Sequence, residues 1–363
     1  MKGGHKMKAN EKNVTTSVRE GEDFDREAIQ SFLLKYLDWW PDEPLEVTQF
    51  SAGYSNLTYL LRSGGVEAVM RRPPLGPLPP RAHDMKREFS LLDKLYTVFP
   101  YVPETYVLCD DESLIGVPFY VMERKNGLVF DGKFPQGFTV TEEKCKQISY
   151  AAVDTLVQLH QIDYREAGLE NFGRPEGFVE RQVHNWIKRY ERSKTHDIPY
   201  FEVLGKWFVE NIPSSHNATI IHNDYKLNNM MFSEQNVGKV EAVFDWELAT
   251  IADPLFDLAA ALGYWTQPND WESVKECLPS LSTSAGFITR DEYIHRYSLK
   301  TGQDIPPLHF YMAFTYFKIA VVTQQIYYRW FHGQTNDSRF ATLDHSVRSL
   351  MEYANEIITT KKF

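Results

Sequence analysis

The densest run of chemically capable side chains is IIHNDYKLNNMMF, in which His222, Asp224 and Asn229 form the pattern His-x-Asp-x-x-x-x-Asn between two β-forming segments. A carboxylate and an amide at this spacing suit phosphoryl transfer from ATP. That reaction asks for a base to orient and deprotonate a hydroxyl, and for oxygen ligands that hold Mg²⁺ against the phosphates. On this reading Asp224 is the base, Asn229 a metal ligand, and His222 a member of the same catalytic loop. Loop Asp and Asn side chains also cap turns and fill left-handed backbone positions, and for these residues alone the two accounts stand level. A second carboxylate tips the balance: Asp245 lies sixteen positions beyond Asn229, ending the apolar segment VEAVF, where it can bind Mg²⁺ through oxygen.

Two further acids follow. Asp253-Pro254 reads as an N-cap with proline at the first helical position. Asp257, flanked by Leu255, Leu258 and Ala259, needs a partner in so apolar a setting, and hydrogen bonds from the catalytic loop are the expected ones. Nearer the N-terminus, SAGYSN presents Ser55 and Asn56 at a hairpin tip, a weak candidate for a phosphate lid beside the simpler account of a β-turn. Arg71 ends a strand at the position where a protein kinase keeps its phosphate-binding lysine, and arginine can bind phosphate bidentately. Glu88, on the next helix, is its natural ion-pair partner.

These residues need a scaffold, and the apolar pattern supplies one. Two strands joined over Gly53, the turn Ser63-Gly64-Gly65 and the strand VEAVM make a small antiparallel sheet from Leu45 to Met70. The stretch RRPPLGPLPPRAH can be neither strand nor helix and is expected as an ordered loop or flap. Met85, Phe89, Leu92 and Tyr96 then mark a helix, and TYVLC and FYVMER two more strands, for the order β-β-β-α-β-β. After Glu123 the pattern turns helical, interrupted by the short β segments ATIIH, NNMMF and VEAVF, and it is helical again from Asp253. The expected divisions are a disordered tail over 1–17, a nucleotide-binding lobe over 18–123 and a catalytic and substrate lobe over 124–363.

Composition narrows the function classes. The 363 residues carry 39 basic and 49 acidic side chains, a net charge of −10, with no basic block interleaved with aromatics, so nucleic acid is not an expected partner. The apolar stretch from Phe310 to Tyr328 is broken by Lys318, Gln324 and Gln325, which suits a buried helix and not a membrane span. The polar start MKGGHKMKANEKNV has no apolar core of a signal peptide, and Cys109, Cys145 and Cys277 lack metal-site or disulfide spacing. A soluble, cytoplasmic protein is expected, with its oligomeric state open.

The ordered series SAGYSNLTYLL, AVMRRPP, AHDMKREFSLL, FYVMER, IIHNDYKLNN and FDWELATIADPLFDLA resembles the aminoglycoside phosphotransferase, or choline-kinase-like, superfamily. Within it the series is similar to the kinase domains fused to some acyl-CoA dehydrogenases, and the likeness runs from about Val18 to Tyr353. It implies an α+β, bilobal, protein-kinase-like fold with a small antiparallel-sheet N-lobe and a mainly helical C-lobe. It further implies ATP and Mg²⁺ as cofactors, Asp224 as base, Asn229 and Asp245 as metal ligands, and Ser55, Asn56, Arg71, Glu88, Met122 and Glu123 around the nucleotide. Asn223 stands for the Arg of His-Arg-Asp and Trp246-Glu247 for Phe-Gly, no activation loop follows, and GxxxxGK[ST] is absent. A small-molecule acceptor is therefore expected in place of a protein, and the P-loop route is excluded.

Three readings share this chemistry: a kinase of a hydroxylated metabolite, with a hydroxyacyl compound or its CoA ester as one acceptor; an aminoglycoside O-phosphotransferase; and a nucleotide-binding regulator without turnover. The retention of Asp224, Asn229 and Asp245 together argues against the third. Arg174, Arg181, Trp186, Trp265, Lys318 and Arg329 in the second lobe lean toward an anionic acceptor, with Arg181 and Lys318 as the candidate contacts. Each of these taken singly is more simply a structural residue.

Overall fold

Val47, Leu57, Tyr59, Leu61, Ala68, Met70, Phe119 and Val121 occupy alternate positions of four strands, and burying them on one face builds the principal sheet. The computed structural model describes residues 15–51, 56–74, 83–214 and 217–363. In chain order its first elements are β1 (Thr15–Thr16), α1 (Arg26–Tyr36), β2 (Glu46–Phe50), β3 (Leu57–Ser63), β4 (Val66–Arg72), α2 (Met85–Leu95), β5 (Thr105–Cys109), β6 (Phe119–Glu123) and β7 (Leu128–Val129). There follow α3 (Glu142–His160), α4 (Phe178–Ser193), α5 (Phe201–Glu210), β8 (Thr219–Ile221), β9 (Met230–Phe232), β10 (Val240–Val243) and β11 (Thr250–Ala252). The chain continues through α6 (Pro254–Gly263), α7 (Glu272–Cys277), α8 (Arg290–Thr301), α9 (His309–Phe331) and α10 (Leu343–Thr360). Two compact units result: one holds residues up to Val140 with Arg165–Leu169 and Leu227–Leu248, and the other holds Thr141–Tyr164, Glu170–Lys226 and Ala249–Phe363.

In the first unit six strands pair antiparallel in the order β1-β2-β3-β4-β6-β5. Ile29 and Leu33 of α1, with Leu37 and Trp40 just beyond it, cover the apolar face. Register decides what the opposite face offers. Thr58, Arg71 and Tyr120 stand side by side across three strands, as do Leu60, Val69 and Met122, so Thr58, Val69, Arg71 and Met122 share one face. A second sheet in the same unit has the order β10-β9-β7. Gly127 lets β7 approach: a Cβ there would lie 2.5 Å from the Phe232 carbonyl oxygen.

The β-β-β-α-β-β order is present and is extended by α1 and β1. Thr15 and Thr16, inside the expected tail, pair with Phe50 and Gln49 instead of trailing free; residues 1–14 lie outside the described part, as do Gly53, Ser55 and the middle of the proline-rich stretch. The first unit also reaches beyond Glu123, to Val140, and takes in β9 and β10 from later in the chain.

The second unit is mainly helical around α9, whose Phe310, Phe314, Phe317 and Val321 are buried together with Ala354 and Ile357 of α10. Its two-stranded sheet pairs β8 with β11 antiparallel. Asp253 caps α6 as expected, accepting the Leu255 N–H at 2.9 Å, with Pro254 in the first turn. Among the described residues no helix is long and apolar enough to cross a membrane. The architecture is thus α+β, an antiparallel-sheet N-terminal part followed by a helical C-terminal part, as the sequence implied.

Candidate active site

The first unit contains a pocket walled by Phe50, Val69, Met122, Val129, Met231 and Phe244 and ended by Thr58, Arg71, Asn229 and Asp245. Apolar walls with a polar end fit a flat aromatic base carrying a phosphorylated tail. The walls come from both sheets: Val69 and Met122 from the pocket face of the first, Val129 and Met231 from the second, where they pack with Ala242 and Phe244. Glu123, Arg124 and Lys125 form its rim, tied by ion pairs from Lys125 to Glu123 at 2.7 Å and from Arg124 to Glu67.

At the polar end Arg71 is held from two sides. Its Nε donates to Glu88 Oε2 at 3.1 Å and its Nη2 to Asp245 Oδ1 at 2.8 Å. Burial opposes the Arg71 charge, but the carboxylates of Glu88, Asp245 and Glu247 outweigh it and hold the guanidinium above its ordinary range. Burial raises the Glu88 carboxyl; Arg71 pulls it down, and Asp245 and Glu247 add to the rise. The expected Arg71–Glu88 pair is therefore present, and Arg71 takes Asp245 as a second partner.

Asn229 closes a 3-10 turn (Leu227–Asn229), and its carbonyl accepts the Phe244 N–H at 2.8 Å, which brings the Asn229 and Asp245 segments together. Asp245 itself adopts a left-handed backbone, φ 67. One carboxylate and one amide oxygen are hard donors too few to cage a cation. That set fits Mg²⁺, which keeps water and phosphate oxygens in its shell, and not an ion that demands a complete protein cage. Asn56, expected near phosphates, is buried and bonded to Glu247 and His83; Ser55 lies outside the described residues.

In the second unit Asp257 organises the loop that starts at His222. Its Oδ2 accepts the His222 N–H at 2.6 Å and its Oδ1 the Asn223 N–H at 2.6 Å, the partners the sequence led us to expect. His160 Nε2 lies 3.2 Å from Oδ2, and His160 Nδ1 lies 2.7 Å from the Tyr297 hydroxyl. Burial pushes the Asp257 carboxyl up, but the hydrogen bond and charge of His160, with His222, outweigh it and hold the group below the ordinary carboxylate range. His222 is fully buried and its Nδ1 accepts the Asp224 N–H at 3.3 Å, so it shapes the loop.

Asp224 is engaged by Lys226 and Tyr264 in this unit. Lys226 Nζ is 2.9 Å from its Oδ2, the Tyr264 hydroxyl hydrogen-bonds it, and Lys226 also lies 4.8 Å from the centre of the Tyr264 ring. Lys318 donates to Asn223, to Oδ1 at 3.0 Å and to the carbonyl at 3.3 Å. Burial lowers the Lys318 ammonium; the carboxylates of Asp224 and Asp257 oppose this, and the charges of Lys226 and Arg189 add to it. Arg189 stacks over Trp186 at 4.5 Å.

Arg181, the other expected acceptor contact, is directed elsewhere: its guanidinium donates to the backbone carbonyls of Arg174 and Glu176 and braces the start of α4. Trp265 is core, with Nε1 donating to the Ile288 carbonyl at 2.8 Å. Lys226 and Arg189 were missed by the sequence reading, although Lys226 stands two residues after Asp224 and Trp186-x-x-Arg189 has helical stacking distance. Glu247 and His83 were also missed.

Fold and sequence place the chain among phosphotransferases. The chain belongs to the phosphotransferase enzyme family, whose model matches residues 46–297. It is 34% identical over 353 residues to acyl-CoA dehydrogenase family member 11 of Gallus gallus, covering 94% of this chain and 44% of that protein. The chain spans less than half the length of the curated relatives it matches. A candidate aminoglycoside phosphotransferase from Ralstonia eutropha superposes with a TM-score of 0.80 at 29% identity, covering 93% of this chain and 99% of that one. An aminoglycoside phosphotransferase solved as a ternary complex with ADP and hygromycin B shares the fold, with a TM-score of 0.56 at 15% identity over 90% of this chain and 98% of that one.

Proposed function

We propose that the protein transfers the γ-phosphoryl group of Mg·ATP to a hydroxyl of a small anionic metabolite. The observation that carries this reading is the first unit's pocket, apolar along its walls and ended by Arg71, Asn229 and Asp245. Val69, Met122, Met231 and Phe244 would hold the base of the nucleotide, and Arg71 would meet the phosphates. Asn229 and Asp245 would hold Mg²⁺, which when bound neutralises phosphate charge. Asp224 accepts the proton of the acceptor hydroxyl as its oxygen bonds to the γ-phosphorus; the bond to the β–γ bridging oxygen breaks and ADP leaves.

The acceptor's charge follows from the cations around Asp224. Lys226 pairs with Asp224, and the charges of Lys226 and Arg189 both act on Lys318, whereas Asp257 is consumed by the loop backbone and His160. A carboxylate- or phosphate-bearing acceptor fits this arrangement, among them a hydroxyacyl compound or its CoA ester; a polycationic aminoglycoside does not. Three free thiols, each pushed up by burial, fit a reducing cytoplasm. The test is an ADP-release screen over hydroxy acids, hydroxyacyl-CoAs and aminoglycosides, with Asp224→Asn as control. Turnover restricted to aminoglycosides overturns the acceptor class, and no Mg·ATP binding at all overturns the nucleotide reading.

A further inference from the structure

Asn56, His83 and Glu247 meet in a closed set of contacts within the first unit. Asn56 Nδ2 donates to Glu247 Oε2 at 2.9 Å, Asn56 Oδ1 lies 2.8 Å from His83 Nδ1, and the same imidazole nitrogen lies 3.5 Å from Glu247 Oε2. The Asn56 side chain is only 2% exposed, and His83 is held at φ 57, a left-handed strain that persists only where surrounding contacts enforce it. A carboxamide suits the central place because it offers a donor to the carboxylate and an acceptor to the imidazole N–H on one planar group.

We propose that this trio is a clasp that positions the phosphate end of the nucleotide pocket. Asn56 precedes β3, which carries Thr58; His83 precedes the N-cap of α2, which carries Glu88; Glu247 lies in the 3-10 turn (Trp246–Leu248) that follows Asp245. The clasp therefore joins the three segments that bring a hydroxyl, the carboxylate partner of Arg71 and the metal-binding carboxylate to one place. Its hydrogen bonds are separate from those of the Arg71 bridge, although the Glu247 charge acts on Arg71, so its own contacts can keep those segments in register when Arg71 turns to phosphate. All three members are positioning residues, and the inference rests on the nucleotide reading above.

The test is an exchange of chemistry between positions 56 and 247, read as the dissociation constant of Mg·ATP by calorimetry well below the melting temperature. Asn56→Asp sets a carboxylate against Glu247 and is expected to weaken Mg·ATP binding about tenfold or more. Combining Asn56→Asp with Glu247→Gln restores one donor and one acceptor in exchanged places and is expected to return the affinity to within about threefold of the parent. Parent-like affinity in Asn56→Asp, or equal weakening in the single and double variants, overturns the clasp while leaving the nucleotide reading intact. A parent that does not bind Mg·ATP overturns both. If Asn56→Asp does not fold, His83→Phe serves in its place: a tenfold loss of Mg·ATP affinity with the acceptor KM unchanged supports the clasp, and parent-like affinity overturns it.

Discussion

Arg71 spans 3.1 Å to Glu88 on one side and 2.8 Å to Asp245 on the other, so the cation that would meet phosphate also grips the carboxylate that would meet the metal. On the proposed reading, Mg²⁺ would compete with the guanidinium for Asp245, and binding Mg·ATP would shift Arg71 toward the phosphates. In thermal melts Mg·ATP is expected to raise the melting temperature of the parent, and Asp245→Ala to abolish the Mg-dependent part of that rise. Asn229→Ala should diminish it less, since an amide attracts the ion less than a carboxylate does. Equal shifts with and without Mg²⁺ in parent and Asp245→Ala would assign Asp245 to structure.

Asp224→Asn is expected to leave Mg·ATP affinity near the parent value and to lower kcat by about 10² to 10⁴, the contribution of a positioned base. Wild-type kcat in a variant that still binds nucleotide would remove Asp224 from that role.

Lys318 and Arg181 should separate cleanly. Lys318→Met is expected to raise KM for an anionic acceptor roughly ten- to hundredfold, the worth of one hydrogen bond to a charged group, with KM for ATP nearly constant. Arg181→Ala, which removes a brace on two carbonyls, should lower the melting temperature and leave both KM values alone. The acceptor assignment fails if the two variants behave alike in steady-state kinetics.

Asp257 links the His222–Asn223 loop to acid stability. Its carboxyl is held below the ordinary range in the fold, so its contribution is fully present above the unfolded value of about 3.9 and is lost as pH falls through the lower folded value. Asp257→Ala, which strands two backbone N–H groups and His160, should cost about 3–5 kcal/mol at neutral pH. Urea titrations of parent and variant from pH 7 downward should show a constant gap that begins to close below about pH 4. A gap that widens in acid would mean the sign is wrong.

The loop from His222 to Asn229 and the strands from Glu46 to Arg72 were legible because their signals are local: alternation, a turn of glycines, and catalytic residue types at short spacing. The Arg71–Glu88 and Asp257–loop contacts were legible because a charge on an apolar element must find a partner nearby. What stayed hidden depends on distant pairing. Thr15–Thr16 is a strand only because β2 lies beside it, and β9 and β10 join β7 across a hundred residues of intervening chain. Nor could sequence distinguish an arginine aimed at a ligand from one aimed, like Arg181, at the carbonyls of the preceding turn. The α1 helix was readable in principle, since Asp25 accepts the Ala28 N–H as a cap and Ile29 and Leu33 repeat at helical spacing.

Asn223 and Asp245 both sit in left-handed backbone, φ 68 and 67, where glycine would rest without strain. Each instead keeps a side chain that holds a cation: Asn223 receives Lys318, and Asp245 holds Arg71. A laboratory population screened for heat resistance alone, with no demand for turnover, would be free to acquire glycine at these two positions. Glycine there would relieve the backbone but strip a partner from Lys318 or Arg71, so substitution frequencies at 223 and 245 in such a population would weigh strain against those contacts.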